Sequence, residues 1–156
     1  MRLTQWTDYA LRVLMYCAAH AERENAPTIA EIAEVHAISR SHLMKIVMEL
    51  SAKSWLSTTR GRGGGLRLVQ QPSQIVVGEV VRQMEEDFGL VECFNTEGSH
   101  CKLDGHCRLK GVLSNALQAW MDVLDGVTLA DLVAAGTAVS ALPLTRIKRS
   151  ARGLAA

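Results

Sequence analysis

Two helix-start signals stand eleven residues apart in "PTIAEIAEVHAISRSHLMKIVMEL", residues 27–50, and they restrict the fold more than any other feature. The first is a capping box, Thr28-x-x-Glu31 behind Pro27. Such a threonine and glutamate each satisfy one backbone amide that the first helical turn leaves orphaned. The second is Ser39, an N-cap in front of the stripe Leu43, Ile46, Val47 and Leu50. So little chain between two starts leaves room only for a short helix over about 28–36, a tight turn and a second helix. That is a helix-turn-helix.

The flanks extend this unit. Residues 4–20 place Trp6, Ala10, Val13, Leu14 and Cys17 on one helical face and Asp8 and Arg12 on another. After the second helix, Leu56–Thr59 and Leu66–Val69 are β-prone and alternate around a glycine-rich centre, which predicts a hairpin. The fold expected is mainly α with a small β wing. "IVVGEVVRQMEE" resumes helical spacing at Val77, Val80, Val81 and Met84. A longer helix over about 108–124 carries Leu109, Leu113, Ala116, Trp120, Val123 and Val127 at heptad steps. Such a stripe packs either against a second copy or against this chain's own core. "VTLADLV" starts a last helix with the box Thr128-x-x-Asp131. The organisation expected is a winged helix-turn-helix over 1–82, a cysteine loop and dimerisation helix over 83–135, and a flexible basic tail over 136–156.

Charge divides along the same lines. Residues 39–82 hold seven Lys/Arg against two Asp/Glu, residues 83–135 three against nine, and the tail four against none, although the whole chain is only +1. A basic first part suits a polyanion. The second helix of such a pair enters the DNA major groove. Its outward set here is Ser39, Arg40, Ser41, His42 and Lys45, with Arg60, Arg62, Gly63 and Arg67 at the hairpin tip. Arginine pairs with guanine or phosphate, and glycines let the backbone approach closely. "GRGGG" lacks the P-loop pattern and does not open a helix, so it does not predict nucleotide binding. No catalytic dyad or cofactor loop appears, so an enzyme is not expected.

"CFNTEGSHCKLDGHC" holds Cys93, Cys101 and Cys107 as C-x7-C-x5-C. The N-terminus does not read as a signal peptide and no apolar run reaches the roughly 18 residues of a membrane span, so a cytoplasmic protein with reduced thiols is expected. Three thiolates are one short of a four-ligand shell, and His100 and His106 are available to complete a zinc site. Cys17, on an apolar stripe, reads as a small buried hydrophobe.

"MRLTQWTDYALRVLMY", "ISRSHLMKIVMEL", "RGRGGGLRL", "IVVGEVVRQME" and "CRLKGVLSNALQAWMDVLDGVTLADLV", with the three cysteines between, cover about residues 1–135 in order. Together they resemble the Rrf2 family of winged-helix transcription regulators, most closely its nitric-oxide-sensing repressors. The resemblance implies a homodimer on double-stranded operator DNA and one iron–sulfur cluster per subunit, 2Fe–2S or 4Fe–4S. It implies Cys93, Cys101 and Cys107 as ligands and Asp8, from the partner subunit, as the fourth. It further implies DNA release when nitric oxide reaches the cluster. A sibling branch uses a histidine three residues after the last cysteine, where this chain has Lys110. A zinc-stabilised or redox-responsive regulator without a cluster is the alternative.

Overall fold

A computed structural model describes residues 2–61, 63–94, 100–103 and 106–134. The expected tail, 136–156, lies outside them, as does Arg62. The elements run α1 (Gln5–Ala19), α2 (Ile29–His36), α3 (Arg40–Ala52), β1 (Leu56–Thr59), β2 (Gly65–Leu68), α4 (Val77–Met84), α5 (Arg108–Asp125) and α6 (Leu129–Val133). This is the mainly helical winged fold that the periodicities predict. Among the described residues no helix is long and apolar enough to cross a membrane.

Four of the six helix starts carry a side-chain cap, those of α1, α2, α3 and α6. The Thr4 hydroxyl caps α1 by accepting from the Thr7 amide. The Thr28 hydroxyl accepts from the Glu31 amide at 3.2 Å, and the Glu31 carboxylate accepts from the Thr28 amide at 3.4 Å. α2 then stops on Ala37, whose left-handed φ of 53° turns the chain, and the Ile38 amide donates back to the Ala33 carbonyl. Ser39 caps α3 by accepting from the His42 amide. Leu43, Ile46, Val47 and Leu50 are buried as the stripe predicts, and they meet Ala10, Val13, Leu14 and Cys17 of α1 in one core.

The hairpin pairs Leu56 with Leu68 and Thr59 with Gly65, so β2 begins one residue earlier than the sequence suggests and Val69 is left exposed. The reason is close packing at its glycines. A Cβ on Gly65 would sit 2.6 Å from the Pro27 carbonyl oxygen and 2.7 Å from that of Ala26. With no Cβ there, the Leu66 amide donates to the Pro27 carbonyl at 2.8 Å. The wing is thus bolted to the segment between α1 and α2.

Just after α4 the Glu85 carboxylate accepts from the Thr4 amide, and the chain pairs with the start of α4 again at Val127. The Val77 amide donates to the Val127 carbonyl and the Leu129 amide to the Ile75 carbonyl, both at 2.9 Å, and Leu129 is fully buried. Thr128 caps α6 in the predicted box with Asp131. Arg82 on α4 clamps Asp125 at the end of α5 through both guanidinium nitrogens, at 2.6 and 2.5 Å. Beyond that clamp α5 is mostly exposed. Only Met121 is buried, while Leu109, Val112 and Val123 are 59, 62 and 57 % exposed. Among the described residues the heptad stripe is thus only partly covered: Leu113, Trp120 and Val127 are half-buried, and Leu109 and Val123 are exposed.

Gly65→Ala should destabilise the fold by about 1–3 kcal/mol, the usual cost of overpacking against backbone that cannot retreat. Thermal unfolding should show a lower Tm; an unchanged Tm would mean that the 26–27 segment yields freely.

Candidate DNA interface and thiol loop

α3 meets α1 along its inner side, and that contact decides which of its side chains face solvent. Arg40, Ser41 and Lys45 are exposed, as is the capping Ser39. His42, placed in the outward set by the sequence, is half-buried at its edge. At 100° per residue it lies beside the buried stripe, and its ring packs 5.5 Å from Trp6 and 5.2 Å from Tyr9. The Trp6 indole N–H also donates to Glu49 Oε2 at 2.6 Å, so α1 grips α3 at both ends of that face.

In the wing, Arg60 is exposed and Gly61 and Gly63 take φ of 97° and 76°, which favour glycine. Arg67 sits mid-strand opposite Ser57 rather than at the tip. Its guanidinium donates to the carbonyls of Ala21, Arg23 and Glu24 at 3.3, 3.0 and 2.8 Å. Arg67 thus fastens the wing to the α1–α2 connection, a role its place in the basic hairpin does not reveal. The same connection carries a polar cluster in which Arg23 Nη1 and the Tyr16 hydroxyl both donate to Glu31 Oε1, at 2.6 and 2.9 Å. The Arg23 hydrogen bond, aided by Tyr16, holds the Glu31 carboxyl below its ordinary value.

Two of the three loop cysteines lie in or beside a helical element. Cys93 lies in a short 3-10 turn, Glu92–Phe94, and Cys107 is the residue before α5. Both are half-buried, as is Cys101, and no disulfide joins any cysteine. His100 is spoken for by Glu92, whose carboxylate accepts from the His100 amide at 2.8 Å and lies 3.4 Å from the ring. His106 is exposed. Asp8 forms an ion pair with Arg12 at 3.0 Å, with both side chains nearly half exposed. Among the described residues no three metal-ligating side chains converge. Reduced, accessible thiols are nonetheless the donor set that an iron–sulfur cluster takes. Cys17 is different in kind. It is 2 % exposed in the core, and burial pushes its thiol up to about 12.

A winged helix with this thiol loop matches, over residues 3–135, the model of Rrf2, described as an iron-dependent transcriptional regulator. The chain belongs to the Rrf2 family. It is 49 % identical over 133 residues to the HTH-type transcriptional regulator NsrR of Bacillus licheniformis, covering 85 % of this chain and 92 % of that one. The NsrR of Bacillus subtilis is 48 % identical over the same length. Among solved structures, CymR, titled the global cysteine regulator of B. subtilis, superposes with a TM-score of 0.70 at 25 % identity, over 85 % of this chain and 96 % of that one. IscR of T. potens shares the fold at a TM-score of 0.68 and 24 % identity, over 85 and 86 %. The Rrf2 family consists of transcriptional regulators and not enzymes.

The Glu31 cluster of this Rrf2 protein gives a pH signature. A carboxyl held below its ordinary value of 4.5 adds stability that is complete above that value and fades as pH falls through the lower, folded one. Glu31→Gln should flatten the loss of stability on acidification below about pH 4.5 relative to the parent, measured by urea midpoints across pH. An unchanged acid profile would remove Glu31 from the account.

Proposed function

We propose that the chain is a cytoplasmic, homodimeric transcriptional repressor that holds an iron–sulfur cluster and releases operator DNA in response to nitric oxide. The observation that carries this reading is the trio of half-buried thiols, Cys93, Cys101 and Cys107, beside a helix that keeps Leu109, Val112 and Val123 exposed among the described residues. The kinship with NsrR proteins supports it.

The cluster, when bound, supplies iron that nitric oxide can reach. The chain's residues do the rest. Cys93, Cys101 and Cys107 supply three thiolates. Asp8 of the partner subunit is the fourth ligand in this reading, which means exchanging its Arg12 contact for the metal. The exposed apolar residues of α5, Leu109, Val112 and Val123, suit a second copy. Clearing an operator from about 99 % to about 1 % occupancy needs an affinity loss of about 10⁴-fold. Reorienting two DNA-reading modules at once offers a loss on that scale. On the DNA side, Ser39, Arg40, Ser41 and Lys45 face the major groove and Arg60, Arg62 and Gly63 the backbone or minor groove. Arg67 contributes by holding the wing in place, and His42 by seating α3 on α1.

Anaerobically purified protein should be brown and contain iron and sulfide; zinc alone, with no visible absorbance, would favour the cluster-free regulator. Asp8→Ala should alter the visible spectrum or the nitric-oxide response, whereas Arg12→Ala, which breaks the same ion pair, should leave the spectrum as it was. Equal behaviour of the two variants would remove Asp8 from the ligand set. Two wing variants separate contact from scaffold. Arg60→Ala should weaken DNA binding and lower the salt slope by about one without changing Tm. Arg67→Ala should cost stability, about 1–2 kcal/mol for the lost charged hydrogen bonds at a partly exposed site.

A further inference from the structure

The outward arc of α3 carries two side chains that the function above leaves unused. Leu43, Ile46, Val47 and Leu50 hold one side of the helix in the core. At 100° per residue, Arg40, Ser41, Met44, Lys45 and Met48 share an arc of about 140° on the opposite side, and all five are exposed. Met44 is 53 % and Met48 71 % exposed. They are i,i+4 neighbours, so their thioether chains form one apolar strip between the Arg40 and Lys45 cations. A lone exposed methionine calls for no explanation, but an apolar strip at the centre of a cation-rimmed helix face does.

We infer that Met44 and Met48 read thymine: they pack against thymine C5-methyl groups in the major groove, so the operator carries A·T pairs opposite them. This rests on the DNA-binding reading above and adds the base that the apolar strip selects. The thymine methyl is the apolar feature of the major-groove edge, and the remainder of that edge is donors and acceptors. Methionine is unbranched and polarizable, and fits a methyl whose position varies between steps. Arg40 and Lys45 flank the strip, where they meet guanine or phosphate and fix its register. The cationic rim favours a polyanion over a second copy, which would bring the same rim against itself.

The test uses the full-length protein and the duplex it enriches from a randomised DNA library. Each thymine of that duplex is replaced in turn by deoxyuridine, which lacks only the methyl. One or two replacements per half-site should each weaken binding about 4-fold, the effect of returning one methyl group to water. Met44→Gln and Met48→Gln should bind the parent duplex about 4-fold more weakly, and each should become indifferent to one of those replacements. Met48→Leu, still apolar, should keep the dependence. The inference is overturned if no replacement matters, if the glutamine variants stay as sensitive as the parent, or if they change oligomeric mass instead of thymine dependence. Enrichment of a duplex without methyl dependence removes this inference alone; no enrichment at all removes the DNA-binding reading with it.

Discussion

Leu129 reaches the core only because the chain comes back to it. The helix that would otherwise end the molecule, α5, is followed by Val127–Leu129, whose backbone pairs with Ile75–Val77. Two amide–carbonyl bonds and one fully buried leucine close the core beneath α1. Between Met84 and Val127 the described residues still touch the body at Glu85, whose carboxylate accepts from the Thr4 amide, at buried Met121 and at Asp125. Arg82 clamps Asp125, and Gly78 leaves room for the Asp125 carboxylate where any Cβ would collide with it. The clamp is solvent-exposed, so its attraction alone is worth little. Its value is geometric: it sets the angle at which α5 departs, and Cys107 lies at the far end of that helix, about 27 Å away at 1.5 Å per residue.

Much of this was legible in the sequence because local chemistry dictated it. The caps at Thr28, Ser39 and Thr128 lie where the residue types put them. The buried faces of α1, α3 and α4 follow their periodicity. What the sequence concealed depended on contacts across long separations. Arg67 looks like one more cation in a basic hairpin, yet its partners are carbonyls more than forty residues upstream. His42 sits on the edge between two faces of α3, and only the placement of Trp6 and Tyr9 decides which way it turns. The return of residues 127–129 to the body likewise has no local signal. The heptad stripe of α5 left two destinations open, and among the described residues it divides: Trp120 packs on Phe88 while Leu109 and Val123 stay exposed.

The wing and the recognition helix turn out to share one support. The segment 21–27 receives Arg67, receives the Leu66 amide, and through Arg23 joins Glu31 on α2. α2 in turn fixes the turn that leads into α3. A displacement of this short connection would move both DNA-facing elements together, so the hairpin and the helix behave as one surface despite having no backbone ladder in common.

The four sulfurs are held under two different chemical regimes. With its thiol pushed up to about 12, Cys17 is ionised at neutral pH in only about one molecule in 10⁵, and its burial bars reagents as well. The other three are half-open to solvent. An electrophile or oxidant entering this protein therefore finds three accessible sulfurs and one silent one. The silent sulfur becomes available only when the core itself opens, so its labelling is a clock for unfolding, kept separate from any chemistry at the loop.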